Sequence, residues 1–125
     1  AKQLVEEGII EDPVMIQMCM GIPWGAPDDL NTFMSMVNNT PASWTFSAFS
    51  IGRNEMSYAA AAVLAGGNVR VGLEDNLWLE KGVLATNAQL VEKASTIVTN
   101  MGATLMTPAE VREKMQLQKR APISR

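Results

Sequence analysis

The sequence predicts a parallel α/β fold, and three observations carry that prediction. Strand-like apolar runs begin at Val14, Trp44 and Val69, about 25 to 30 residues apart. A helix-like segment follows each of them. That spacing is the length of a βαβ unit, whose strands pair in parallel. At 125 residues the chain has room for one domain.

Taken in order, the first ten residues, with Leu4, Val5 and Ile9 at helical spacing, read as the tail of a helix. Val14 to Met20, between Pro13 and Gly21, is apolar except for Gln17 and suits a strand covered on both faces. After the loop Gly21–Pro27, the acidic pair Asp28-Asp29 opens a helix carrying Leu30, Phe33, Met34 and Val37. Trp44 to Ser50 reads as a second strand. Asn54 is expected to cap a helix that stops at Gly66-Gly67. Val69 to Glu74 is the third expected strand. Asn87 is expected to cap a long amphipathic helix with Leu90, Ala94, Ile97, Val98 and Met101 on one stripe, ending at Gly102. Thr107-Pro108-Ala109-Glu110 spells a capping box with proline at the first helical position. That final helix and the basic tail make up residues 103–125.

Two architectures use such units, the open doubly wound sheet and the (β/α)8 barrel. A closed barrel takes about 250 residues. A chain with three strands, starting inside a helix, is therefore expected to be the C-terminal three βα units of a barrel, strands six to eight, within a single domain spanning residues 1–125. Three parallel strands with bare edges make a poor free-standing sheet and recruit other chains. A homo-oligomer is also expected.

Composition excludes several functions. The chain has 47% hydrophobic and 18% charged residues and no apolar run long enough to span a bilayer. No membrane association is expected, and the lone Cys19, read as a buried reduced thiol, favours the cytoplasm. Residues 1–111 carry five bases against twelve acids, so a broad nucleic-acid surface is not expected either. The tail Lys119-Arg120 to Arg125 reads as a solvated terminus. The chain contains no histidine, which removes any Ser-His-Asp triad or histidine base of its own.

Chemistry in parallel α/β folds collects at the carboxyl ends of strands. On the third expected strand, alternation puts Val69, Val71 and Leu73 on one face and Arg70, Gly72 and Glu74 on the other. Charges facing the interior need partners. Strand geometry separates Arg70 from Glu74 by roughly 13 Å, too far for direct neutralisation, and Gly72 between them leaves room for a ligand. Glu74 is thus a candidate metal ligand or acid/base group, and Asp75 a candidate for orienting a neighbour. Structural ion pairing is the alternative. The loop containing Pro23, Trp24 and Gly25 either frames a pocket or simply builds turns. Arg53, at a strand-to-helix junction, either holds an anion or is a surface arginine. The nine methionines read as core filling.

The run Gly66-Gly67-Asn68-Val69-Arg70-Val71-Gly72-Leu73-Glu74-Asp75-Asn76, continued by Lys81-Gly82-Val83-Leu84-Ala85, resembles the C-terminal part of the β-keto acid cleavage enzymes. Gly21–Pro27, Ile51-Gly52-Arg53 and Thr107–Arg112 fall in the family's order, so the resemblance covers essentially the whole chain. It implies a zinc-dependent barrel that converts a β-keto acid and acetyl-CoA to acetoacetate and a new CoA thioester. Glu74 then matches the carboxylate zinc ligand, Arg70 and Asp75 the charged pair assisting the chemistry, and Pro23, Trp24, Gly25 and Arg53 the substrate or CoA entrance. Asn68 stands where the family often has histidine. The remaining zinc ligands, a His-x-His pair, belong to a missing N-terminal barrel segment, so the chain alone is expected to be inactive. A self-contained α/β binding or assembly module is the competing reading.

Overall fold

The computed structural model describes residues 1–11 and 14–117. Pro13 and the basic tail from Lys119 onward lie outside the described residues. The chain runs α1 (Lys2–Glu6), β1 (Met15–Met20), α2 (Leu30–Asn39), β2 (Thr45–Ser50), a 3-10 turn (Gly52–Asn54), α3 (Glu55–Leu64), β3 (Asn68–Val69), β4 (Trp78–Glu80), β5 (Val83–Leu84), α4 (Asn87–Asn100) and α5 (Pro108–Lys114). No helix among the described residues is long and apolar enough to cross a membrane.

β1, β2 and β3 form one parallel sheet in sequence order, with Gln17 opposite Ser47 and Ala48 opposite Val69. Successive crossovers that step in one direction with one hand put their helices on the same face. That is what is seen. Met18, Met20 and Ala48 point to the face where Phe33 of α2 and Tyr58 and Ala62 of α3 meet them, with Val69 at the margin. Phe33 and Tyr58 touch edge to face at 5.5 Å. α4 packs against α3 through buried Leu90, Ala94 and Val98. The opposite face of the sheet, carrying Met15, Gln17, Cys19, Ser47 and Phe49, has no helix over it among the described residues. Met15 is accordingly exposed and Cys19 half-buried rather than buried.

Local chemistry explains most of the boundaries. Asp29 caps α2, accepting from the Thr32 N–H at 2.9 Å. Thr107 and Glu110 form the expected capping box on α5. Gly66 and Gly102 end α3 and α4 with φ of +83° and +80°, where glycine carries no Cβ penalty.

Two caps differ from expectation. α4 is capped by Thr86, in a box with Gln89, while Asn87 turns back to accept the Leu73 N–H. Asn54 makes no cap bond, because its backbone belongs to the 3-10 turn, at φ −91° and ψ 1°, rather than being extended as a cap residue's is; its amide nitrogen donates to Asp28. The larger correction concerns the third strand, which pairs only through Asn68 and Val69. At Arg70 the chain leaves the ladder for a turn in which the N–H groups of Asp75 and Asn76 both donate to the Gly72 carbonyl, at 3.0 and 3.1 Å. Beyond it, β4 and β5 form an antiparallel hairpin that apolar periodicity does not reveal.

Candidate active site

The carboxyl ends of β2 and β3 are tied together by the Gly52 N–H, which donates to the Asp75 carbonyl at 2.7 Å. Beneath that tie lies Glu55, the first residue of α3, fully buried. Its Oε1 accepts the Gly72 N–H at 2.8 Å, and its Oε2 accepts from Asn76 Nδ2 at 3.2 Å. Asn76 in turn holds both backbone groups of Trp78. The N–H groups that left the ladder at Gly72 and Leu73 are thus satisfied by the side chains of Glu55 and Asn87, which fixes the shape of the turn. Burial raises the Glu55 carboxyl above its ordinary value, partly opposed by the bonds from Gly72 and Asn76.

Arg70 occupies the helix-free face of the sheet. Its Nε and Nη2 donate to the two oxygens of Asp75 at 2.8 and 2.9 Å, and Nη1 donates to Gln17 Oε1 at 2.7 Å. The guanidinium lies 4.0 Å from the centre of the Phe49 ring. Such a two-pronged pair on an aromatic floor leaves the group little freedom. Hydrogen bonding to Asp75 raises the Arg70 pKa further, so its charge is permanent. The Asp75 side chain is 1% exposed and that of Arg70 33%.

Glu74 sits on the outside of the turn with its side chain 59% exposed, and its Oε1 is 3.8 Å from Arg70 Nη2. The turn folds the carboxylate back toward the guanidinium, whereas a continuing strand would carry it away. A second correction follows at Gly72, where an added Cβ would lie 2.5 Å from Glu74 Oε2. The space freed by the glycine is filled by that carboxylate, not left open to a ligand. No three His, Cys, Asp or Glu side chains are grouped to hold a metal among the described residues. Glu74 fits a cation as a single open donor, and any complete site needs ligands from outside the described residues.

The two weaker candidate regions separate. Gly21, at φ +74°, and Asp28 shape the first loop, since Asp28 accepts from Ser50 at 3.1 Å and also from Asn54. Those two bonds, Asn54's being the larger effect, hold the Asp28 carboxyl below the usual range. At the loop's tip Trp24 is fully exposed with φ +67°, a conformation unusual for a bulky residue. Arg53, in contrast, lines a cavity of about 670 Å3 together with Asn76, Trp78, Lys81 and Lys93. Pro23, Trp24 and Gly25 do not line it. A smaller cavity, of about 420 Å3, beside Trp44, Thr45 and Asn68 lies at the amino ends of the strands, away from the charged cluster.

The structure therefore brings Arg70, Glu74 and Asp75 together and puts Arg53 next to them across Asn76. The roles of Glu55, Gln17 and Phe49 were missed in the sequence. A buried-side acid opening an alanine-rich helix was the one available signal for Glu55. For Gln17, it was a lone polar residue in an apolar strand.

Fold and site together define a parallel α/β protein with an ordered charged cluster at the carboxyl edge of a sheet whose helices lie on one face. Residues 1–117 match the model of the beta-keto acid cleavage enzymes, and the chain belongs to that family. It is 76% identical over 120 residues to the 3-dehydrocarnitine:acetyl-CoA trimethylamine transferase of Rhizobium meliloti (strain 1021), covering 96% of this chain and 40% of that protein. It is also 35% identical over 120 residues to the 3-keto-5-aminohexanoate cleavage enzyme of Acetoanaerobium sticklandii, covering 95% of this chain and 44% of the relative. With the 3,5-dioxohexanoate:acetyl-CoA acetone transferase of Paraburkholderia graminis the identity is 34% over 119 residues, 91% of this chain and 38% of the relative. The chain spans about two fifths of the length of these relatives.

Proposed function

We propose that this chain supplies the last three βα units of a (β/α)8 barrel that exchanges acyl groups between a β-keto acid and acetyl-CoA. The observation that carries the reading is the Arg70–Asp75 pair, locked at the carboxyl end of the sheet beside the open carboxylate of Glu74. Parallel strands in sequence order with their helices on one face are what a segment of such a barrel requires. The half-exposed inner face is then the surface that the rest of the barrel covers.

In the net reaction the acetyl group leaves the CoA sulfur for the carboxylated methylene carbon of the keto acid, and the remaining acyl group takes its place on sulfur. One C–S and one C–C bond break and one of each forms, so no oxidant or reductant is needed. Within this chain, Arg70 supplies a fixed positive charge for the substrate carboxylate or the developing enolate. Asp75, oriented by Arg70, accepts or returns the proton on the carbon between the two carbonyl groups. Family resemblance implies that Glu74 and a His-x-His pair from outside this chain would hold zinc, which would supply Lewis-acid polarisation of the keto oxygen. Since the relative with 76% identity is named for 3-dehydrocarnitine, that keto acid is the first substrate to try.

The test is an assay of acetyl-CoA-dependent acetoacetate formation from 3-dehydrocarnitine and other short β-keto acids. It compares the complete gene product, its Asp75→Asn variant, and the 125-residue chain alone. Turnover by the complete protein, lost in the variant and absent from the chain alone, is expected. Turnover by the isolated chain would refute the shared-barrel reading. A monodisperse, zinc-free chain that melts cooperatively, with no turnover in any form, would favour a self-contained module.

A further inference from the structure

The cavity of about 670 Å3 beside the charged cluster has an unusual charge for this molecule. Residues 1–111 hold five lysines and arginines against twelve acids, and three of the five, Arg53, Lys81 and Lys93, line this one cavity. Among the described residues none of the three forms an ion pair, since both such pairs belong to Arg70. Lys93 donates to the Leu79 carbonyl at 2.6 Å, which holds its ammonium at the wall and ties β4 to α4. One acid, Glu80, shares the lining. Concentrated positive charge in a concave site on an acidic body selects a polyanion.

Apart from Asn76, the rest of the wall is apolar or glycine. Trp78 is 48% exposed and lines the cavity with Met56. A part-exposed indole suits a stacked base, while lysine and arginine suit phosphates. The volume falls within the range of small-molecule sites, about 300 to 1,000 Å3. Asn76 belongs to this wall and follows Asp75 directly in the chain, and Arg53 of the wall follows Gly52, whose N–H donates to the Asp75 carbonyl, so two wall residues are joined through the backbone to the Arg70–Asp75 pair. A β-keto acid carries one carboxylate, for which Arg70 suffices. Three further cations and a stacking surface require the other substrate.

We infer that this cavity, built by Arg53, Lys81, Lys93 and Trp78, holds the phosphorylated adenosine end of acetyl-CoA. The inference rests on the acyl-exchange reading. It assigns the far end of the cosubstrate to the β4–β5 hairpin and leaves the thioester end at Asp75.

Lys81, at the exposed hairpin turn, is the residue to change, because among the described residues its side chain makes no hydrogen bond or ion pair. In the complete gene product, Lys81→Glu should raise the KM for acetyl-CoA about tenfold, the loss expected for one charge-assisted contact. The KM for the β-keto acid should not move, and Lys81→Arg should restore the first value. Calorimetry with CoA and with dephospho-CoA reads the site without turnover. CoA should bind more tightly than dephospho-CoA to the unaltered protein, and the difference should shrink in Lys81→Glu. Turnover with unchanged acetyl-CoA KM and CoA affinity in Lys81→Glu would overturn the site while leaving the acyl-exchange reading intact. CoA binding weakened by Lys81→Glu, without turnover on any keto acid, would sustain the site and sink that reading. Absence of CoA binding altogether would overturn the site.

Discussion

Glu55 is fully buried and makes no ion pair, yet both of its oxygens are engaged. Truncation to alanine strands the Gly72 N–H and one Asn76 donor in a closed interior, at about 1 to 3 kcal/mol for an unpaired group. Glu55→Ala is therefore expected to lower stability by about 3 kcal/mol, read as a shift in the urea midpoint. Because the turn bearing Glu74 and Asp75 hangs from the same carboxylate, the variant should also disorder that turn, read as loss of amide protection at Gly72. At Asp75 the substitution to Asn keeps the shape but removes the charge opposite Arg70. With Arg70 one-third exposed, water screens part of the deficit, and a cost of about 2 kcal/mol is expected. The candidate site was legible from Arg70, Glu74 and Asp75 because charges in an apolar run demand an explanation. Its geometry was not legible, since the groups that bend the chain, Glu55 and Asn87, lie 17 and 14 residues away from the N–H groups they accept.

The elements follow local chemistry closely where that chemistry is self-contained. β1 and β2 come out near their apolar runs, and α2 and α5 start at the acids and the box that announce them. The third strand does not, because alternation fixes which way side chains face but not where a ladder of hydrogen bonds stops. Capping also gives this protein part of its acid response. Backbone and hydroxyl bonds from Thr32 hold Asp29 below the ordinary carboxylate range, and those from Thr107 do the same for Glu110. A carboxyl whose folded pKa is depressed stabilises the fold above its unfolded value, and that contribution is lost as pH falls through the depressed one. Unfolding midpoints measured from neutral pH downward should therefore decline on this limb, and the decline should be shallower in Asp29→Asn. At the packing level, Leu90→Ala on α4 should cost about 3 kcal/mol, seen in thermal unfolding, because Leu90 is completely buried. Gly67→Ala should cost about 2 kcal/mol by the same readout, because a Cβ there collides with the Phe46 ring.

For the whole molecule, the decisive feature is asymmetry. One side of the sheet carries the hydrophobic core with α2 and α3, and the other carries Gln17, Phe49 and Arg70 under no helix. Within the described residues the edge of β3 is unpaired, and that of β1 carries a single bridge, Met20 to Ala26. On the barrel reading proposed above, adding the remaining barrel segment to this chain should bury that side, read as reduced binding of an apolar dye and a raised melting temperature. The 2.7 Å bond from Gly52 to Asp75 has one more effect. Arg53 follows Gly52 directly, so whatever tugs on that arginine also pulls the backbone of the aspartate. A molecule gripped at its tail would thereby set the tension on the group that meets its head.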